Sequence, residues 1–475
     1  MVTLNIAAPG RSFLFLQGLA TRFFERLGRA LLSRGHRVYR VNFNGGDRAF
    51  WRLPGAVDFC GREPEWPKFL ERLIVERAVS DVILFGDCRP LHRAAIRVAK
   101  SRGLRVYVVE EGYFRPDWIT FEEGGVNGYS SLPGDPAWYR EQARSLPPWR
   151  DPPRMPGSFR RRAVEDVIYG FASITGARRF PHYATHRPYH RLVEYAGWLR
   201  RLALKRRAER AAAAVIEDLA SISGPLFFFP LQLDCDYQMR VHSPFRAMHL
   251  AIEHVLTSFA RHSPDAARLV VKLHPLDSGI IDWRALTGHI AAELRIVDRL
   301  IVVDGGDLDK ILARCRAVVT VNSTVGSLAL ARGLPVTALG KAVYDIPGLT
   351  HHGKLGEFWC APKPPDNDLL DAFRRVLAAR CLIPGSFFSE RGLRLAVEAA
   401  IDRLEAIDFA PPIAAPSAND PQWPNGQVEH LPAPGKGSIL EPARCARAAD
   451  RVFFAKRIDD DPRQPIRRQV EPSRG

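Results

Sequence analysis

Short apolar runs that stop abruptly in polar residues recur along this chain, separated by stretches of helical periodicity. No other feature constrains its fold as much. SFLFL at 12–16 gives way to Gln17-Gly18, and the run at 38–41 to Asn42-Phe43-Asn44-Gly45-Gly46-Asp47. The run at 82–85 ends in Gly86-Asp87, and the one at 106–109 in Glu110-Glu111-Gly112. Between the first two, Phe23, Phe24, Leu27, Ala30 and Leu31 recur at helical spacing, and Gly35 follows as a stop signal. Apolar runs of four or five residues alternating with amphipathic helices describe βαβ units, whose strands are parallel and buried on both faces. Residues 1–135 therefore read as one Rossmann-like domain with a parallel sheet. Residues 225–405 repeat the pattern: 226–229 runs into PLQLD, 269–273 into His274-Pro275, and 318–321 into Asn322-Ser323-Thr324, with further strands at 300–303 and 336–339. The expected fold class is α/β, with two Rossmann-like domains.

Two segments break the alternation. Residues 136–224 begin in Pro and Arg and continue into two helical stretches. One carries an apolar stripe of Val164, Val167, Ile168 and Phe171, the other of Leu192, Tyr195, Ala196, Leu199 and Leu202. Arg160, Arg161, Arg162, Arg178, Arg179, Arg200, Arg201, Lys205, Arg206 and Arg207 rim them. A solvated basic face is the ordinary reading; the sharper one is a surface that draws anionic lipid, at about 1 kcal/mol per basic residue. Residues 406–475 are rich in Pro, Ala and Arg without periodicity and read as a disordered tail.

Lys and Arg outnumber Asp and Glu by 68 to 52 over 475 residues, a formal charge of +16, which favours an anionic partner. Nucleic acid is set aside, because no RRM, KH, zinc-finger or helix-turn-helix signature is present. Seven cysteines stand singly with no paired spacing, which points to a reducing compartment and away from a disulfide framework. No basic n-region precedes a long apolar core, and no run approaches the ~20 apolar residues of a spanning helix. A cytoplasmic protein with peripheral contact to an anionic inner-membrane surface is expected.

Ligands of such sheets bind beyond the carboxyl ends of the strands. Gln17, Asn42, Asn44, Asp47, Asp87, Glu110 and Glu111 are thus expected to converge on one crevice from the first domain, and Gln232 and Asp236 from the second. Each alone is also ordinary turn chemistry. Asn322, Ser323 and Thr324 end a strand and open a helix, where free N–H groups, the helix dipole and two hydroxyls suit a phosphate; a plain N-cap is equally served. Lys272 and His274 end a strand of the same sheet and would reach that phosphate. No metal site and no cofactor are expected: DxD, HExxH and clustered Cys/His are absent, as are GxxxxGK[ST], GxGxxG after the first strand, and GxSxG. A donor carrying a nucleoside phosphate in the second domain, facing an acceptor in the first, is the arrangement of a GT-B-type glycosyltransferase.

FLQG, RVNFNGGDRAFW, EEGYFRPDWIT, GGVNG, PLQLDCDYQ, KLHPLDSG and NSTVGSLAL follow one another across residues 12–405. In this order they resemble the KpsS/LipB-type capsule polysaccharide biosynthesis proteins, a β-Kdo transferase family. The resemblance implies a CMP-Kdo donor and a (lyso)phosphatidylglycerol acceptor, joined at the inner membrane to start the poly-Kdo glycolipid linker, with other capsule assembly proteins as further partners. It also implies that His274 and Ser323-Thr324 hold the CMP phosphate, whose single phosphodiester has less need of a metal. Relatives carry Asp as a nucleophile just before the Gly where this chain has Glu111. For Glu111, and after it Glu110, the roles of nucleophile, general base and orienting group stay open. Two other readings stand beside this one: a non-catalytic lipid- or polysaccharide-binding component of capsule assembly and export, and a GT-B transferase using another nucleotide sugar.

Overall fold

The computed structural model describes residues 10–185, 189 and 191–406; apart from Ala406, the expected disordered tail lies outside the described residues. Strands β1 (Ser12–Phe15), β2 (Arg37–Asn42), β3 (Ala56–Asp58), β4 (Asp81–Phe85), β5 (Arg105–Glu111) and β6 (Trp118–Glu123) build a first sheet. A second is built by β7 (Leu226–Pro230), β8 (Arg268–Lys272), β9 (Leu300–Val303), β10 (Ala317–Thr320) and β11 (Val336–Ala338). A last short strand, β12 (Leu382–Pro384), joins the first sheet, whose order is β12-β6-β5-β4-β1-β2-β3. The second sheet has the order β11-β10-β7-β8-β9 and is parallel throughout.

The apolar runs become central strands because they are covered on both faces. Phe13, Leu14 and Phe15 of β1 are fully buried, and so are Phe227, Phe228 and Phe229 of β7. Each such side chain contributes about 1.5–3 kcal/mol on leaving water. The helices used below are α1 (Phe23–Ser33), α2 (Gly45–Ala49), α3 (Phe159–Thr175), α4 (Arg191–Asp218), α5 (Tyr237–Val241), α6 (Thr324–Leu330), α7 (Asn367–Arg380) and α8 (Glu390–Ala406). Helix α1 ends as its sequence indicates, with Gly35 at φ +82 just beyond it.

Two expectations change. The first sheet is mixed, because β6 runs antiparallel to β5 and β12 antiparallel to β6. The chain doubles back directly after Glu111, and Gly112 permits it: a methyl group there would collide with the Trp118 carbonyl. Second, residues 225–405 do not stay with one sheet. After the second sheet the chain returns, β12 covers the otherwise open edge of β6, and α8 packs Leu393, Ala396, Ala400 and Leu404 into the core that holds Phe13 and Phe15. Helix α7 settles on the helix Pro136–Ala143, with Phe373 against Tyr139 at 5.6 Å and Asp366 paired to Arg140 at 2.6 Å. The apolar stripes of α3 and α4 stay open to solvent. Val164, Val167, Ile168, Phe171, Leu192, Leu199 and Leu202 are all exposed. Among the described residues, no helix is long and apolar enough to cross a membrane.

Candidate active site

The two sheets face a common cavity of about 680 Å3, walled by the end of β5, by α3 and α4, and by the loops that follow β7, β8 and β10. It brings together Glu110 and Glu111 from the first sheet with Gln232, Asp236, His274, Asn322, Ser323 and Thr324 from the second. Strand geometry sends the two neighbouring carboxylates to opposite sides of β5, and their environments differ accordingly.

Glu111 meets cations. Arg162 on α3 donates to its Oε1 at 2.7 Å, and Arg115 lies 2.9 Å from its Oε2. Burial alone would raise its pKa, but Arg115 and Arg162 outweigh burial and hold it below the ordinary carboxylate range. Glu110 meets another acid. Burial first, then the neighbouring Asp87, push its carboxyl up to about 8, against the opposing hydrogen bond that Gln238 donates to its Oε1 at 2.7 Å. Two adjacent carboxylates are thus split into an ionised one and one that holds its proton near neutrality, the pattern from which acid–base assignments follow.

Gln238 on α5 joins the two walls. Its side-chain oxygen accepts from Asn127 at 3.1 Å and its backbone carbonyl from Asn322 Nδ2 at 2.9 Å. Asn322 is further locked to Gln232, whose Nε2 donates to its Oδ1 at 2.9 Å and whose Oε1 accepts its N–H at 3.1 Å. Asp236 caps α5 by accepting the Gln238 N–H at 2.9 Å, and burial raises its pKa. Ser323 caps α6, accepting the Val325 N–H at 3.2 Å. His274 Nδ1 accepts the Leu276 N–H at 3.0 Å, which leaves Nε2 to carry the proton. Burial, then Arg115, lower its pKa to about 4, with Glu111 opposing. Near pH 7 His274 is therefore a neutral imidazole whose Nε2–H is free to donate.

Several expected crevice residues lie elsewhere. Gln17, Asn42, Asn44 and Asp47 do not line the cavity; they form a closed buried network under α3. Gln17 donates to Tyr169 at 2.9 Å and accepts from Arg89 at 2.8 Å. Tyr169 in turn donates to Asp47 at 2.9 Å and accepts from Asn44 at 2.9 Å. Asn42 bridges Arg40 and Asp58 at 3.1 and 2.9 Å. Polar groups so fully engaged position α3 rather than bind a ligand. Lys272 also lies off the cavity, buried where it feels Asp304 and Arg201. Conversely, Arg115, Arg162 and Gln238 were not singled out as site residues. Arg115 lies in the same EEGYFRPD stretch but outside any helix, so its spacing from Glu111 gives no signal, and Arg162 is hidden in a run of three arginines.

Behind Glu110, the ligand atoms of Asp87, Cys88 and His242 lie within 4.8 Å of one another, the one such convergent set among the described residues. These would be the residues to hold a cation such as Zn2+. The Cys88 thiol lies 3.2 Å from His242 Nε2, and Asp87 already accepts the Val126 N–H at 2.8 Å. Burial pushes the thiol up and the imidazole down to about 3, so Cys88 and His242 pair as neutral groups beside the buried Asp87.

Residues 80–388 match the capsule polysaccharide biosynthesis protein family. The chain is 34% identical over 398 residues to the capsule polysaccharide modification protein LipB of Neisseria meningitidis, covering 81% of this chain and 94% of that one. It is 34% identical over 388 residues to the capsule polysaccharide export protein KpsS of Escherichia coli, covering 81% and 99%. Among solved structures it is similar to KpsC of Thermosulfurimonas dismutans, a β-Kdo 2,7-transferase, at 16% identity and a TM-score of 0.39, over 83% of this chain and 100% of that one. So distant a likeness carries no residue correspondence.

Proposed function

The chain belongs to the capsule polysaccharide biosynthesis protein family, and from that premise we propose that it is a glycosyltransferase moving β-Kdo from CMP-Kdo to a (lyso)phosphatidylglycerol acceptor. One observation carries the reading. A single crevice sets an ionised Glu111 and a proton-holding Glu110 together with the neutral His274 and the hydroxyls of Ser323 and Thr324.

In this reading the bond from the anomeric carbon to the CMP phosphate oxygen breaks with its electron pair leaving on the phosphate, stabilised by His274 Nε2–H and the Ser323 hydroxyl. Glu111 attacks the anomeric carbon and forms a glycosyl ester. The acceptor hydroxyl then displaces Glu111 and passes its proton to Glu110 in the fraction of molecules where Glu110 is ionised, giving retention overall. Arg115 and Arg162 are shared between Glu111 and the carboxylate of the donor sugar, holding nucleophile and donor in register. In this reading the chemistry proceeds at the cytoplasmic face of the inner membrane, where the acceptor resides, and the exposed apolar and basic residues of α3 and α4 support that location.

The test is incubation of purified protein with CMP-Kdo and a fluorescent lysophosphatidylglycerol. CMP release with a product one Kdo heavier is expected, and Glu111→Gln should lower turnover by roughly 10³-fold or more with its circular dichroism unchanged. The E. coli relative is a capsule polysaccharide export protein, which supports a second reading, a non-catalytic lipid- or polysaccharide-binding component of capsule assembly and export. Absence of product where an active relative gives one would select it, and product from a different nucleotide sugar would replace the donor.

A further inference from the structure

Between α3 and α4 the crevice wall carries an apolar row of Phe159, Val167, Trp198, Leu199 and Leu202, joined by Ile280 from the loop after β8, with Asp166, Glu194 and Tyr195 interspersed. Four of these, Phe159, Val167, Leu199 and Leu202, are themselves 46–69% exposed, so the apolar wall runs out through the mouth instead of being capped by other side chains. Among the described residues, every other large exposed apolar side chain except Val75, Leu250 and Val297 also lies on α3 or α4. A concentration of this kind marks an interaction surface. Arg162 lines the same cavity, Lys205 stands over the Phe159 ring at 5.4 Å, and Arg200, Arg206 and Arg207 are exposed on α4.

An apolar helix face alone would suit many partners. Here its inner end reaches Glu110, Glu111 and Arg162, and its flanks are cationic. The complementary molecule is an amphiphile with an anionic head and a hydrocarbon tail, whose head must arrive at the carboxylates. We propose that the slot between α3 and α4 takes one hydrocarbon chain of the lipid acceptor, drawing it out of the bilayer while the head group enters the reaction centre. The proposal rests on the reading of the protein as a lipid-directed transferase and deepens it: α3 and α4 form an acyl subsite as well as a membrane-facing surface. Two rows of α3 then have distinct tasks. Phe159 and Val167 line the slot, while Val164 and Ile168 face a separate basic recess with Arg22, Arg48 and Arg52 on the far side of the helix.

The experiment is photo-crosslinking with a lysophosphatidylglycerol carrying a diazirine at the end of its chain, without CMP-Kdo, read by residue-level mass spectrometry. Adducts are expected on Phe159, Val167 and the segment 198–202. Leu199→Asp and Leu202→Asp, both at exposed positions that the fold tolerates, should each reduce slot labelling about tenfold or more, the scale of one leucine contact. Phe171→Asp, outside the slot, should leave slot labelling intact. Adducts confined to Val164, Ile168 and Phe171, or slot labelling indifferent to the Leu199 and Leu202 substitutions, would overturn the proposal. Labelling needs no sugar donor, so slot adducts on a protein that transfers nothing would sink the transferase reading and keep the slot. Transfer accompanied by adducts only outside the slot would do the reverse.

Discussion

At neutral pH most copies of Glu110 hold a proton, because burial and Asp87 push its carboxyl up to about 8, while Arg115 and Arg162 keep Glu111 charged beside it. If Glu110 accepts the acceptor's proton, only its ionised fraction works. The expected kcat/KM then rises about tenfold per pH unit below 8 and levels above it. Gln238 donates to the ionised form and lowers this pKa, so Gln238→Met should move the rising limb to higher pH. Rate profiles of both proteins from pH 6 to 9 check this, and a flat wild-type profile would remove Glu110 from proton transfer. Both carboxylates are legible in VYVVEEG as strand-end acids. Their division of labour is not, because it depends on Arg162 and Gln238, 51 and 128 residues away in the chain.

Helix α3 supplies both Arg162 and one wall of the slot, so its seat on the first sheet controls the site. Glycines make that seat: a methyl group at Gly45 would strike the Ala172 carbonyl, and one at Gly46 would press on Tyr169 and Ser173. Gly45→Ala should therefore push α3 off α2, destabilising by about 1–3 kcal/mol. A lower melting temperature together with weakened transfer is expected, and an unchanged melt would show that the contact is dispensable. The same elements explain what NFNGGD conveys. Its polarity is visible in the sequence, but a side chain aimed at a ligand looks identical to one aimed at a helix, and Asn44 meets Tyr169 125 residues later. The parallel strands were legible because burial on both faces writes an unbroken apolar run. Antiparallel β6 and β12 were not. The reversal at Gly112 rests on a close approach to the Trp118 carbonyl, and β12 has only three residues.

Across the whole molecule, the return of α7 and α8 to the first sheet means that the chain crosses between the sheets more than once. Such a frame positions α3 and α4 on one side as a paired apolar and basic face, while the buried strands contribute nothing to that surface. Its exposed cations include Arg160, Arg178, Arg179, Arg200, Lys205, Arg206 and Arg207, each worth about 1 kcal/mol near an anionic leaflet. Apolar side chains between them add attraction that salt does not screen. Co-sedimentation with phosphatidylglycerol-containing vesicles should therefore fall steeply as salt rises from about 0.05 to 0.5 M, yet retain a residue of binding that Phe171→Asp removes. Vesicles of neutral lipid should retain only that residue. Equal binding to neutral and anionic vesicles would remove the basic rim from membrane attachment. Complete release by salt alone would mean that the exposed apolar row stays outside the bilayer, leaving the cations as the whole of the membrane contact.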